Sequence, residues 1–311
     1  MPQEPTVHIL LATYNGARYL HEQLESIAKQ THSAWTLTVS DDGSTDDTLE
    51  IVQRFAIQVT QPVSVLRGPR KNSATANFCH LVSQAPENNF QDLYAFCDQD
   101  DVWYAKKLEK AVSWHAQHPS QSIRLYCGRT QYVNKQLAPI GLSPSIKRPP
   151  SFGNALVQNI ASGNTMVFNH AVLMAQKKIQ PEHSVWHDWT TYIVTTALGG
   201  LVWFDFEPCL HYRQHAGNVI GSNDGFKTHI TDLKPLFKGR FKQWSEVNTG
   251  ALQDIQNLIK KEHLDTFLEF QRMRSDPSLV KRIITFYRSS IRRQLFLSNA
   301  RLALALALKL S

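Results

Sequence analysis

Three polar clusters each stand directly behind a short apolar run, and that arrangement limits what this chain can fold into more than any other feature. Thr13-Tyr14-Asn15-Gly16 follows the run 7–12, Asp41-Asp42-Gly43-Ser44 follows the alternating Trp35, Leu37 and Val39, and Asp98-Gln99-Asp100-Asp101 follows 93–97. A nearly continuous apolar run is the pattern of a strand buried on both faces, as in a parallel sheet. Between these runs Leu20, Leu24, Ile27 and Ala28 fall at helical spacing, as do Leu49, Ile51, Val52 and Phe55 behind a cap at Ser44 and Asp47. Residues 63–66 add a third strand, and 72–83 a further helix. Repeated β-α-β-α predicts an α/β fold, a mainly parallel sheet flanked by helices. Ligands bind such sheets at the carboxyl ends of the strands, so the three clusters are expected to converge on one crevice.

Past Ser113 the pattern loosens. Residues 137–150 read as a loop, 162–169 and 201–213 as strands, 188–198 as a helix, and everything after Gly225 as helices. The 311 residues suffice for one large domain with an appendage, or two modest ones. Four widely spaced cysteines with no CxxC pair predict buried thiols rather than zinc or disulfides. With no secretory leader and no run able to span a bilayer, the cytosol is the expected address. The net charge of +7 is uneven: residues 277–311 hold seven Lys and Arg and no acid, leaving 26 basic against 26 acidic side chains in 1–276. The basic pI therefore describes a tail, and a nucleic-acid-binding body is not supported.

Three carboxylates among four residues repel one another unless a cation sits among them, which suits Mg²⁺ or Mn²⁺ held together with a substrate diphosphate. The alternative for Asp98, Asp100 and Asp101 is acids at a helix N-terminus. Asp41 and Asp42 exceed what a cap needs, and a carboxylate there can accept a pyrimidine N–H while Tyr14 stacks on the base. Arg67 and Arg70 follow the third strand and either face the nucleotide or form a solvated basic loop. Arg213 and His215 alternate at a strand end and so point to one face.

Taken in order, these motifs resemble the inverting nucleotide-sugar transferases of family two, which have the GT-A fold. The resemblance rests on residues 12–16, 40–46 and 96–103, on Ala161-Ser162-Gly163-Asn164-Thr165, on His187-Asp188-Trp189, and on Tyr212-Arg213-Gln214-His215-Ala216-Gly217-Asn218. It spans about 5–222, and its last two elements are similar to the bacterial branch that builds surface polysaccharides, notably rhamnosyltransferases. It implies a GT-A domain over 1–222 and a helical, basic region over 223–311. It also implies a base-recognising Asp42, a base-stacking Tyr14 beside Thr13 and Asn15, and a DxD metal motif at Asp98 and Asp100, extended by Asp101. Asp188 takes the general-base position, ahead of the competing Asp205 and Glu207. Arg213 or His215 would offset charge on the leaving diphosphate.

The implied reaction is metal-dependent hexosyl transfer with inversion. The donor is dTDP-rhamnose first and a UDP-hexose second, since Asp42 reads thymine and uracil alike. The acceptor is a lipid-linked glycan at the inner face of a membrane. A nucleotidyltransferase is disfavoured because the first loop is not a Gly-rich, Lys-containing phosphate loop. An inactive scaffold would not need both the metal carboxylates and Asp188. In the tail, Ile284, Tyr287, Ile291 and Leu295 recur as on one helix face, which either lies on an anionic membrane surface or packs on protein.

Overall fold

The computed structural model describes residues 4–87, 89–215 and 240–309. The first half is the expected doubly wound sheet. Strands β1 (Val7–Thr13), β2 (Trp35–Asp41), β3 (Val63–Arg67) and β4 (Leu93–Cys97) run parallel in the order β3-β2-β1-β4. Helices α1 (Ala17–Ala28), α2 (Thr48–Gln58) and α3 (Ala74–Gln84) make the crossovers.

Alternation along β1 explains why both faces need a cover. Val7, Ile9 and Leu11 join a cluster with Leu20 and Ile27 of α1, Phe55 of α2, and Leu108 and Trp114 of α4 (Lys107–Gln117). Leu10 and Ala12 point the other way, onto Phe78 and Leu81 of α3 and Trp189 and Tyr192 of α7 (His187–Ala197).

Beyond β4 the sheet turns mixed. It continues through β8 (Val167–Asn169), β6 (Arg124–Val133), β9 (Leu201–Arg213) and β5 (Val102–Trp103), while β7 (Pro139–Leu142) pairs with the end of β6. Strand β8 is antiparallel to β4 and to β6, and β6 runs parallel to β9. Strand β6, the middle of this half, is absent from the sequence reading, because its residues show neither clean alternation nor an apolar run. The strand expected over 162–169 is shorter: Gly163–Thr165 is a 3₁₀ turn and only Val167–Asn169 joins the sheet. The loop expected over 137–150 contains β7, whose four residues are all exposed.

Two short helices, α5 (Phe152–Ala155) and α6 (His170–Gln176), precede α7. Four more close the described chain: α8 (Arg240–Asp254), α9 (Lys261–Ser275), α10 (Leu279–Arg288) and α11 (Phe296–Ala307). Phe241, Leu252, Phe267, Phe286, Ile291 and Leu302 enter the same apolar cluster as Tyr192 and Phe152. Polar ties reinforce this: Asn154 Nδ2 donates to the Arg292 carbonyl, and the amides of Lys147 and Arg148 donate to Gln294 Oε1.

The basic tail is divided. Arg282 is buried and donates to the carbonyls of Leu306 and Ala307, supplying donors to the C-terminus of α11. Ile291 is buried beyond the end of α10, so the single amphipathic face expected over 284–295 is split. Val280, Ile284 and Tyr287 nonetheless stand outward on α10 at helical spacing, as do Leu297, Leu304 and Leu308 along α11. The 222/223 boundary, and the Ala216-Gly217-Asn218 end of the sixth motif, lie outside the described residues. The four cysteines are free, and all but Cys79 are buried.

Candidate active site

The carboxyl ends of β1, β2 and β4 open onto one cleft of about 350 Å³, walled on its far side by the N-termini of α3 and α7. Thr13, Tyr14, Asp42, Asn72, Asp98, Gln99, Asp100, Trp186, His187, Asp188 and Tyr212 contribute to its lining.

The two aspartates at the end of β2 have different work. Asp41 is saturated: it accepts from the amides of Gly43 and Ser44, from the Ser44 hydroxyl and from Thr13 Oγ1 at 2.9 Å. Gly43 stands at φ +99°, a backbone that side chains resist, so this turn needs both the glycine and the carboxylate. Asp42 accepts from the amides of Arg70 (2.5 Å) and Asn72 (2.8 Å) in the loop after β3 and lines the cleft. A carboxylate oxygen has more than one acceptor direction, so Asp42 can still meet a base N–H. Asn15 bridges the first two loops, its amide donating to Ser44 Oγ and its Oδ1 accepting from Thr45. Gln99 ties in the third, exchanging two hydrogen bonds of 2.9 and 3.1 Å with the backbone of Tyr14.

The acidic run divides in the same way. Asp98 and Asp100 line the cleft. Burial, with the charges of Asp100 and Asp188 beside it, pushes the Asp98 carboxyl up to about 7. Asp101 is turned inward, 1% exposed, and accepts from Asn164 Nδ2 at 2.5 Å. Beneath the loop lies the buried Lys107, its ammonium 3.3 Å from the Trp103 ring centroid. Burial lowers the Lys107 pKa to about 8, and Asp98 and Asp101 counter that shift.

Across the cleft, Asp188 opens α7. The Gly163 amide donates to its Oδ2 at 3.2 Å, and burial lifts its pKa to about 6. Its neighbour His187 is stacked on Phe78 with centroids 3.8 Å apart, and burial drives its pKa to about 3. His187 is therefore held neutral, and Asp188 is the carboxylate of this wall. Gly163 has to be glycine, since a Cβ there would stand 2.3 Å from His187 Nε2.

Residues 8–179 match the family described as Glycosyl transferase family 2. The chain belongs to that family. It is a glycosyltransferase with a GT-A-like mixed α/β sheet and added C-terminal helices. It is 29% identical over 274 residues to the dTDP-rhamnosyl transferase RfbG of Shigella flexneri, covering 83% of this chain and 91% of that protein. Residues 1–349 of S. aureus TarS in complex with UDP share the fold, with a TM-score of 0.56 and 19% identity over 88% of this chain and 72% of that chain. TarS in complex with UDP-GlcNAc aligns with a TM-score of 0.57 and 18% identity, covering 91% and 79% of the two chains.

Within this glycosyltransferase several expected residues stand elsewhere. Asp101 does not reach the cleft, because Asn164 and the protein interior hold it. Arg213 is 1% exposed, lies 4.4 Å over the Tyr19 ring and donates to the carbonyls of Asp100 and Lys135 and to Glu22. These bonds set it against the Asp98–Asp101 loop, outside the cleft lining. His215 meets Asp100, Nε2 to Oδ2 2.7 Å, and lines a second hollow of about 250 Å³ with Arg18 and Lys135. Arg67 and Arg70 are exposed and outside the cleft lining; Arg70 approaches the turn through its backbone and its chain beside Gly43.

Asp205 accepts from Tyr126 and Glu207 pairs with Lys110, so neither competes with Asp188 at the cleft. Sequence reasoning did not single out Trp186, Tyr212 or Gln99 as site residues, and all three line the cleft. Each had a signal, lying inside or beside a motif already singled out. Among the described residues no three His, Cys, Asp or Glu side chains form a protein-only metal cage. Asp98 and Asp100 do fit the other mode, in which one or two carboxylates share Mg²⁺ or Mn²⁺ with substrate phosphates.

Proposed function

We propose that this glycosyltransferase is a metal-dependent, inverting hexosyltransferase. Its first-choice donor is dTDP-rhamnose and its second a UDP-hexose, and its acceptor is a hydroxyl of a lipid-linked surface-polysaccharide precursor. The observation that carries the reading is one cleft holding Asp42, Asp98 and Asp100 on one side and Asp188 on the other. Likeness to a dTDP-rhamnosyl transferase over most of both chains supports the rhamnosyl donor.

In this reading Asp42 accepts the base N–H, Tyr14 stacks on the ring, and Thr13 and Asn15 hold the loop that carries it. Asp98 and Asp100 would hold Mg²⁺ or Mn²⁺, which when bound would supply positive charge to offset that of the diphosphate. Asp188 takes the proton as the acceptor oxygen forms its bond to the anomeric carbon and the bond to the diphosphate breaks. Attack from the face opposite the leaving group inverts the configuration, as at other sites where a carboxylate base faces the departing oxygen. His215 orients Asp100, and Arg213 fixes the backbone of that loop. Arg67 and Arg70 add positive potential at the nucleotide end.

Residues 1–222 carry this chemistry, and 223–311 hold the enzyme at the inner face of the cell membrane. Val280, Ile284 and Tyr287 stand outward beside Lys281 and Arg288, in a tail with seven cations and no acid. That face suits an anionic lipid surface. No described helix is long and apolar enough to cross a membrane.

The test is transfer from a panel of nucleotide sugars to a lipid-linked glycan, with Mn²⁺ or with EDTA, followed by NMR of the new linkage. Rhamnosyl transfer with inversion, lost in EDTA, supports the reading. Transfer unaffected by EDTA, or retention of configuration, overturns it.

A further inference from the structure

Trp186 lines the cleft beside Gly163, His187 and Asp188, and the roles assigned above leave it unused. Its place along the wall is defined by its neighbours. The Val185 carbonyl accepts from Thr75 Oγ1 at 3.3 Å, which seats Trp186 against the first turn of α3. Just ahead of that helix, the Asn72 amide holds Asp42. The wall thus runs from the nucleotide end, past Trp186, to Asp188. In a nucleotide sugar bound along that wall, the group between the diphosphate and the proton-accepting Asp188 is the transferred sugar itself.

The ring is also braced from behind. Trp186 lies 4.8 Å from Trp244 of α8 and 5.9 Å from Trp189, centroid to centroid. Trp189 is anchored in turn by its Nε1–H, which donates to the Ala155 carbonyl at 2.7 Å. Three indoles packed together leave Trp186 little rotamer freedom, and a rigid aromatic surface binds at low entropic cost. Ala12, Ala74 and Phe78 make the adjoining lining apolar. A pyranose offers a matching surface, since its axial C–H groups, and the methyl of a 6-deoxy sugar, lie against an aromatic ring without desolvating hydroxyls.

We infer that Trp186 is the stacking platform for the transferred sugar, and that Trp244 of the C-terminal helices is the positioning residue that holds it there. This rests on the nucleotide-sugar reading and extends it: the C-terminal region takes part in donor recognition through one indole pair.

Calorimetry on the full chain with Mn²⁺ tests it, using dTDP and UDP on one hand and dTDP-rhamnose and UDP-glucose on the other. Trp186→Ala is expected to weaken binding of the preferred nucleotide sugar about tenfold, a change of about 1.4 kcal/mol. It should leave the bare nucleotide unchanged. Trp186→Phe should restore most of the loss. Trp244→Ala should show a smaller loss of the same kind, with the bare nucleotide again unaffected. Equal loss for nucleotide and nucleotide sugar in both Trp186 variants would mean a structural role and overturns the platform. Unchanged donor binding with a raised KM for acceptor would move the ring to the acceptor and overturn it as well. A wild-type protein that binds none of the four ligands overturns the nucleotide-sugar reading itself, and the platform with it.

Discussion

The Nε–H of Arg213 donates to the backbone carbonyl of Asp100 across 3.1 Å, with the guanidinium buried over Tyr19. A side chain used in this way holds the backbone of the Asp98–Asp101 loop. Arg213→Lys replaces a planar fork by a single ammonium, which cannot serve Asp100, Lys135 and Glu22 together. The carbonyls of the half-buried Asp100 and the exposed Lys135 would then share one donor group or lose it. The expected result is a lower midpoint of thermal unfolding together with lower turnover. A variant with wild-type melting but a selectively raised KM for the donor would return Arg213 to the diphosphate.

The acidic run is separable by mutation. Asp100→Ala should abolish the dependence of rate on Mn²⁺ concentration and lower turnover to the level seen in EDTA. Asp101→Ala leaves Asn164 without its acceptor inside the protein, so its effect should appear in unfolding midpoint while the Mn²⁺ activation constant stays near wild type. Equal shifts of that constant in both variants would place Asp101 back among the ligands.

Asp188→Asn keeps the shape of the side chain but cannot take a proton. Turnover should fall ~10²–10⁴-fold, the usual contribution of a general base, with donor binding little changed. A wild-type rate in this variant would send the search to another acceptor.

The pH profile follows from the same carboxyl. Burial raises Asp188 to about 6, so its base form dominates above that value and is lost below it. The rate should be level on the alkaline side and fall about tenfold per pH unit below the pKa. The sign for stability is opposite. A carboxyl with a raised folded pKa binds its proton more readily folded than unfolded, so between about 4 and 6 this group favours the folded state more as pH falls. Asp188→Asn should lose the acidic limb of its residual rate, and retention of that limb would assign it elsewhere.

The outward face of α10 is best tested by point changes, because Phe286, Ile291 and Leu302 of the same region are buried in the core. Truncation at Asp276 would remove those core residues along with the face. Ile284→Glu with Tyr287→Glu should release the enzyme from anionic liposomes at low salt, lower its rate on lipid-linked acceptor and spare a soluble acceptor. Wild-type protein that ignores such liposomes, or that self-associates through this face, would remove the membrane role.

Local sequence was enough for the first half of the fold and for the clustering of the site. The apolar runs of β1 and β4, the alternation of β2 and the spacing of α1 and α2 are short-range signals, and strand ends bring their loops together in any parallel sheet. The pairing of Asp41 with the turn and Asp42 with the cleft was only half legible, since adjacent aspartates have identical chemistry until the chain around them is placed. Tertiary structure alone decided the rest. Strand β6 lacks a pattern of its own and is a strand because β8 and β9 pair with it. Asp101 and Arg213 stand outside the cleft lining, where long-range partners, Asn164 for one and the Asp100 and Lys135 carbonyls for the other, hold their polar atoms. Trp186 entered it because α8, more than fifty residues later in the chain, packs Trp244 behind it. Which side chain faces a cleft depends on what holds its back, and that is a property of packing between distant segments.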